Sequence, residues 1–333
     1  MQVSVRDVAT TAGVSVGTVS NVLNRPDRVA PDTLARVQAA IEKLGFVRND
    51  AARQLRAGRS RTIGLVVLDA RNPFFMDVAR GAEERAAEQG LTVLIANSDD
   101  RTDRESTHLD LFEEQRVFGV LVTPTSGGTP RIDQLRAHGV PVVLVDRESS
   151  DTSFPSVAVD DVIGGGLAAS HLLESGRRRL AFIGGPLSIR QVADRWEGAE
   201  GVVARADGAS IELIATNGLT VAEGRDAGRS IIDRAPEDRP DAVFAANDLL
   251  ALGLLQSLAR DRSVRIPEEI AIIGYDDIDF AAAAVVPLSS IRQPAELIGR
   301  RAVELLLAEE AGAEGDHQVR FGPELIVRES TAG

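Results

Sequence analysis

Residues Gly13-Val14-Ser15-Val16-Gly17 read G-x-S-x-G, the spacing that lifts a nucleophilic serine above the sheet of a hydrolase. That chemistry requires a strand directly before the serine. The segment preceding Ser15, "VRDVATTA", has helical periodicity and comes before any strand-like run. Ser15 is therefore read as a helix N-cap whose hydroxyl lies near a phosphate. A second motif, Gly164-Gly165-Gly166-Leu167-Ala168-Ala169, fits the dinucleotide fingerprint G-x-G-x-x-A. It follows Asp160 and Asp161, whose charges repel a pyrophosphate, and Glu174, the only acid near the fingerprint's downstream position, falls inside the same helical stretch. Small residues for close helix packing are the better account. The only lysine, Lys43, excludes a Walker loop; the absence of cysteine excludes a disulfide framework, a thiolate zinc site and a cysteine nucleophile. His108, His138, His171 and His317 show no H-x-x-x-H spacing. No catalytic residue, metal site or cofactor is assigned.

A different regularity suits ligand binding. Apolar run after apolar run ends in a polar or acidic residue: Asp69, Asn97, Asp146, Asp160, Asn247 with Asp248, and Asp276 with Asp277. In open parallel sheets ligands bind beyond the carboxyl ends of the strands, so two facing lobes would gather these groups around one cleft. The alternative for each is a helix N-cap or a turn former.

The elements that must position these groups fall into two textures. Val5, Val8, Ala9 and Ala12 recur at helical spacing, then Gly13, then Val19, Val22 and Leu23. Ser4 and Ser15 are N-cap candidates. A third amphipathic stretch runs from Pro31 through Leu34, Val37 and Ile41 to Gly45. The spacing of Ala9, Gly13 and Val19 is that of a helix-turn-helix: close approach, tight bend, packing back. From Thr62 onward, the short runs "TIGLVVLD", "LTVLIANS", "GVLVTP", "PVVLVD", "SVAVD", "RLAFIGG", "IELIAT", "AVFAAND" and "IAIIGYDD" alternate with helical patterns. Near-continuous Val, Ile and Leu predicts parallel strands covered on both faces, in two similar lobes.

The 333 residues exceed one ordinary core, and a hydrophobic fraction of 44% is that of a globular protein. No run approaches the roughly 18 apolar residues of a membrane span, and the N-terminus lacks a signal-peptide pattern, so a cytoplasmic location is expected. The net charge of −13 is uneven. Residues 1–61 hold ten Lys or Arg against five Asp or Glu, +5, leaving −13 − 5 = −18 for the remainder. A basic N-terminal module on an acidic body is the layout expected when only the small part touches DNA.

With these parts in order, the sequence resembles the lactose-repressor family of bacterial transcription regulators over essentially its whole length. "VRDVATTAGVSVGTVSNVLN" is similar to the family's N-terminal signature, "GFVRNDAARQLRAGRSRTIGLVV" to its stretch through hinge to first strand, and "DARNPFF", "VDRE", "FAANDLLALG" and "IIGYDDI" to its effector-domain motifs. The resemblance implies a dimer on a pseudo-palindromic operator, with the second helix in the major groove. Val16, Gly17 and Asn21 fall at its base-reading positions, and Thr18, Ser20 and Asn24 resemble phosphate contacts. Gly17 offers no side chain, so direct readout is thin and DNA shape contributes more. Asp50 to Arg56 match the hinge helix, with Leu55 at the position that enters the minor groove and Arg53 beside it.

For the effector lobes the resemblance is to periplasmic sugar-binding proteins. It implies a first-lobe wall from Asn72, Phe74 and Phe75, with Asp146, Arg195, Asn247 and Asp276 as polar ligand contacts and Gln191 as a weaker one; Trp196 is core or a stacking group. The expected architecture is a small all-α helix-turn-helix DNA-binding domain (1–48), a hinge helix and linker (49–61), and a two-lobed α/β periplasmic-binding-protein-like domain with parallel sheets (62–333). Its lobes divide at about 62–161 with 292–323 and 162–291 with 324–333. The expected function is a dimeric repressor released from operator DNA by a sugar-like effector. The alternatives are a corepressor-dependent repressor sensing a purine or nucleoside, and a sugar-binding protein without a regulatory role.

Overall fold

The computed structural model describes residues 3–46, 60–125, 130–149, 154–260, 264–312 and 317–332. The hinge expectation, with Arg53 and Leu55, lies outside the described residues. Contacts divide the chain into Met1–Ser60 and Arg61–Gly333.

The first unit has three helices, α1 (Val5–Ala12), α2 (Val16–Asn24) and α3 (Pro31–Leu44). Ser4 caps α1 in a reciprocal box with Asp7, and Gly13 ends it at φ 67°, a left-handed conformation that costs glycine nothing. Pro31 opens α3 and Gly45 closes it at φ 60°. Val8, Val19 and Val37, one from each helix, are fully buried among Ala9, Ala12, Val22, Ala40 and Phe46. Each valine contributes about 1.5–3 kcal/mol, which matters in so small a core.

The second unit holds two six-stranded sheets. One, ordered β11-β5-β4-β3-β1-β2, comprises β1 (Thr62–Val67), β2 (Thr92–Asn97), β3 (Gly119–Val122), β4 (Val142–Val145), β5 (Ser156–Val159) and β11 (Gln318–Phe321). The other, ordered β12-β10-β9-β8-β6-β7, comprises β6 (Arg179–Gly184), β7 (Ser210–Ala215), β8 (Ala242–Ala245), β9 (Ala271–Asp276), β10 (Ser289–Arg292) and β12 (Glu324–Ile326). The chain crosses between sheets after β5, β10 and β11. All pairings are parallel except β10 with β12.

One expectation needs correction. β2 and β7 are not covered on both faces: each is an edge strand with exposed positions, Leu94 and Ile95 in β2 among them. An edge strand lacks one neighbour and its flanking cover, so apolar composition alone does not report its burial. Three further strands, β10 to β12, are too short or too polar ("SSIR", "QVRF", "ELI") to stand out as apolar runs.

Helices flank both sheets. α4 (Pro73–Glu88) packs on α12 (Ala295–Glu310), α7 (Asp161–Glu174) on α8 (Arg190–Val203), and α9 (Val221–Ile232) on α10 (Asp248–Arg260), while α5 (Thr102–Glu114), α6 (Pro130–Ala137) and the short α11 (Asp279–Ala282) complete the set. Each of the three pairs is notched by reciprocal glycines: a Cβ at Gly165 would lie 2.0 Å from the Arg195 carbonyl oxygen, and one at Gly198 2.0 Å from that of Val162. Gly81 with Gly299, and Gly224 with Gly253, repeat the arrangement. The triple-glycine stretch is thus a helix-packing element, as its neighbouring acids imply.

Candidate functional site

In the first unit, Ser15 follows a helix and a turn, with no strand among residues 3–46, which removes the nucleophile reading. Its Oγ accepts a hydrogen bond from the Thr18 amide at 3.0 Å and lies 2.9 Å from the Thr18 hydroxyl. At 100° per residue, Val16, Gly17, Ser20, Asn21 and Asn24 share one face of α2, opposite the buried Val19 and Val22. Val16 is 46% exposed. Asn24 Nδ2 donates to the Ser20 carbonyl at 2.8 Å and to its hydroxyl at 3.3 Å, tying two of the expected phosphate contacts together. A Cβ at Gly17 would meet only the Ser15 Oγ, at 3.6 Å, so nothing inside the unit requires glycine there.

In the second unit the strand ends converge. Asn72 caps α4, its Oδ1 accepting from the Phe74 amide at 3.1 Å, while its Nδ2 donates to Asp276 Oδ2 at 2.7 Å. Gln293, just beyond β10, donates to the other Asp276 oxygen at 2.8 Å. Gln191, near the start of α8, donates to the Asp146 carbonyl at 2.6 Å and to its carboxylate at 2.9 Å. Arg195 Nε donates to Asp161 at 2.8 Å and Nη1 to the Ala246 carbonyl at 2.8 Å, and Nη1 lies 3.9 Å from Asp276. Elements of both sheets thus meet through side-chain hydrogen bonds, and every one of these groups is buried.

Backbone strain accompanies the placement. Asp146 adopts φ 56° and Asp276 φ 103°, left-handed conformations at the ends of β4 and β9 that are uncommon for non-glycine residues, though aspartate tolerates them better than most. Burial, with the charges of Asp161 and Asp276 nearby, pushes the Asp146 carboxyl up to about 8 against the pull of Arg195 and Gln191. Burial also raises Asp276, opposed by Arg195, Asn72 and Gln293. For Arg195 burial favours the neutral form, but Asp161, Tyr275, Asp276 and Asp146 outweigh it and the net shift is upward, so the guanidinium stays charged.

Two buried acceptors here, Asp146 Oδ1 and Gln293 Oε1, have no hydrogen-bond partner. Asp146, Asp161 and Gln191 also line a cavity of about 720 Å³ together with Arg147, a half-buried arginine with no hydrogen bond or ion pair among the described residues. Unmet acceptors beside guanidinium donors suit a ligand that both donates and accepts, as hydroxyl groups do.

Other expected residues sit differently. Phe74 and Phe75 pack edge to face, centroids 5.1 Å apart, inside the main core. Asn247 caps α10 by accepting from the Leu250 amide at 2.9 Å and donates to the Leu219 carbonyl at 3.2 Å. Trp196 packs edge to face on Phe182. Arg147, Tyr275, Asp161 and Gln293 were not singled out from the sequence as members of this cluster. Arg147 adjoins Asp146 in "VDRE" and Tyr275 adjoins Asp276, so adjacency to a strand-end acid was the available signal for both. Gln293 follows a strand too polar to be recognised.

A helix-turn-helix unit joined to a twin-sheet α/β body with a buried polar cleft defines a DNA-binding regulator with a ligand-binding domain. Residues 4–49 match the bacterial regulatory proteins of the lacI family, and residues 169–331 match the periplasmic binding protein-like domain. The ribose operon repressor of Bacillus subtilis (strain 168) is 34% identical over 304 residues, 91% of this chain and 90% of that protein. The crystal structure of the lac repressor dimer bound to operator and an anti-inducer superposes with a TM-score of 0.84 at 25% identity, covering 100% of both chains. A lacI-family transcriptional regulator from Enterococcus faecium with bound ribose gives a TM-score of 0.73 at 29% identity, over 81% of this chain and 98% of that one. The chain belongs to the lacI family of bacterial transcription regulators.

Proposed function

We propose that the chain is a dimeric, cytoplasmic repressor that leaves its operator when an aldopentose, D-ribose first among them, binds the cleft. The carrying observation is the cluster of Asn72, Asp276, Gln293 and Arg195 beside Asp146 and Gln191: buried polar groups from both sheets, with acceptors left over at Asp146 and Gln293. Ribose hydroxyls would donate to Gln293 Oε1, pair with Asp146 Oδ1, and accept from the free edge of Arg195 and from Arg147. The ribose operon repressor and the ribose-bound regulator among the relatives support that choice of sugar. In the other unit, Val16, Gly17 and Asn21 face the bases, and Ser15, Thr18, Ser20 and Asn24 face phosphates.

The test is a melting-temperature screen of the full chain with aldopentoses, hexoses, nucleosides and purine bases, followed by gel retardation of a duplex selected from a random-sequence pool. D-ribose is expected to raise the melting temperature and release the duplex. Stabilisation by a purine base together with tighter duplex binding would replace this reading with a corepressor one.

A further inference from the structure

Among the described residues Arg195 is the one cation in the buried cluster, and three separate elements hold it. Asp161, the first residue of α7, takes its Nε; the Ala246 carbonyl beyond β8 takes Nη1; and the Tyr275 ring of β9 lies flat beneath it, 3.7 Å from guanidinium carbon to ring centroid. Nη2 is left with no hydrogen bond among the described residues. The guanidinium is therefore fixed on one face and two edges, with one corner open.

Why Asp161 reaches it follows from the triple-glycine stretch. Gly165 and Gly198 let α7 and α8 approach until each glycine lies against the other helix's backbone. A Cβ at Gly164 would lie 2.1 Å from the Tyr275 hydroxyl oxygen, so only glycine leaves room for that ring. Asp161 follows directly on the crossover from β5, where the chain leaves the first sheet for the second. The same contact thus ties the arginine to the point where the two sheets join.

We infer that Asp161 and Tyr275 are positioning residues for Arg195, and that Gly164 and Gly165 exist to bring them to it. Asp161, which itself lines the cavity, holds Nε and so sets where Nη2 points, and its part in binding runs through Arg195. Tyr275 supplies a flat, polarisable floor that a charged planar group favours. This rests on the assignment of Arg195 to the effector site, and the experiment separates the two.

The full-length chain, labelled with 13C,15N-arginine, reports rotation about the Arg195 Cζ–N bonds by NMR without any ligand; Arg195→Lys assigns the signals. Slow rotation is expected in the unaltered protein and in Tyr275→Phe, which keeps the ring, and fast rotation in Asp161→Asn and Tyr275→Leu. Calorimetry with D-ribose should then show affinity falling about tenfold or more in the two freed variants, and returning in Tyr275→Phe. Rotation that is equally slow, or equally fast, in all of them overturns the positioning role. Rotation freed as expected with D-ribose affinity unmoved, in these variants and in Arg195→Lys alike, removes Arg195 from the effector site and the positioning role with it.

Discussion

Asn72 at the start of α4 donates a 2.7 Å hydrogen bond to Asp276 at the end of β9, 204 residues away in sequence. One amide thereby serves two purposes: its oxygen caps a helix packed on the first sheet, and its nitrogen holds a carboxylate from the second. Removing the donor leaves a buried carboxylate oxygen short of a partner, at a cost of about 1–3 kcal/mol. Asn72→Ala should accordingly weaken D-ribose binding by about tenfold or more and lower the melting temperature of the ligand-free chain. Calorimetry and thermal denaturation check both; affinity within twofold of the unaltered protein would show that this bridge is incidental to the ligand.

Gly17 occupies a helical position with open space around it. Alanine there should stabilise α2 by at most about 1 kcal/mol, the penalty glycine carries in a helix interior, since Gly17 lies in the first turn. If the missing side chain serves close approach to DNA, the same substitution should weaken binding to the selected duplex while the chain becomes harder to unfold. Chemical denaturation and fluorescence anisotropy measure the two effects. Improved stability with equal or tighter duplex binding would mean that Gly17 has no role at the groove.

Asp146 predicts a pH dependence whose sign follows from its environment. A carboxyl near 3.8 in the unfolded chain and pushed up to about 8 in the folded one binds its proton more tightly when folded. Its contribution to stability is fully present below 3.8 and is lost as pH rises through about 8. Asp146→Asn removes that titration, so the melting temperature of the variant minus that of the unaltered chain, both without sugar, should climb between about pH 5 and pH 9. A difference that is flat or falling over this range would show that Asp146 is ionised without penalty.

Much of this was legible in the residues. The helix-turn-helix followed from Ala9, Gly13 and Val19, and nine strands from their apolar runs, because burial on both faces leaves a continuous signature that a half-exposed edge or a three-residue strand does not. Within the cleft, Asp146, Gln191, Arg195 and Asp276 come together as expected. Asn247 also ends a strand, and there its oxygen accepts from the Leu250 amide. What separates Asp146 and Asp276 is a left-handed backbone that aims the side chain, and residue type does not encode it. Gln293 escaped because its strand, two serines followed by isoleucine and arginine, has no apolar run, and the role of Asp161 because it depends on how closely two helices approach.

The central claim is that the cleft and the DNA-reading helix share one free energy. D-ribose affinity of the full chain should be measured with and without a saturating amount of the selected duplex, and duplex affinity with and without saturating D-ribose. Linkage predicts that each ligand weakens the other by an identical factor, on the order of 5-fold to 150-fold. A D-ribose affinity indifferent to the bound duplex would contradict the account.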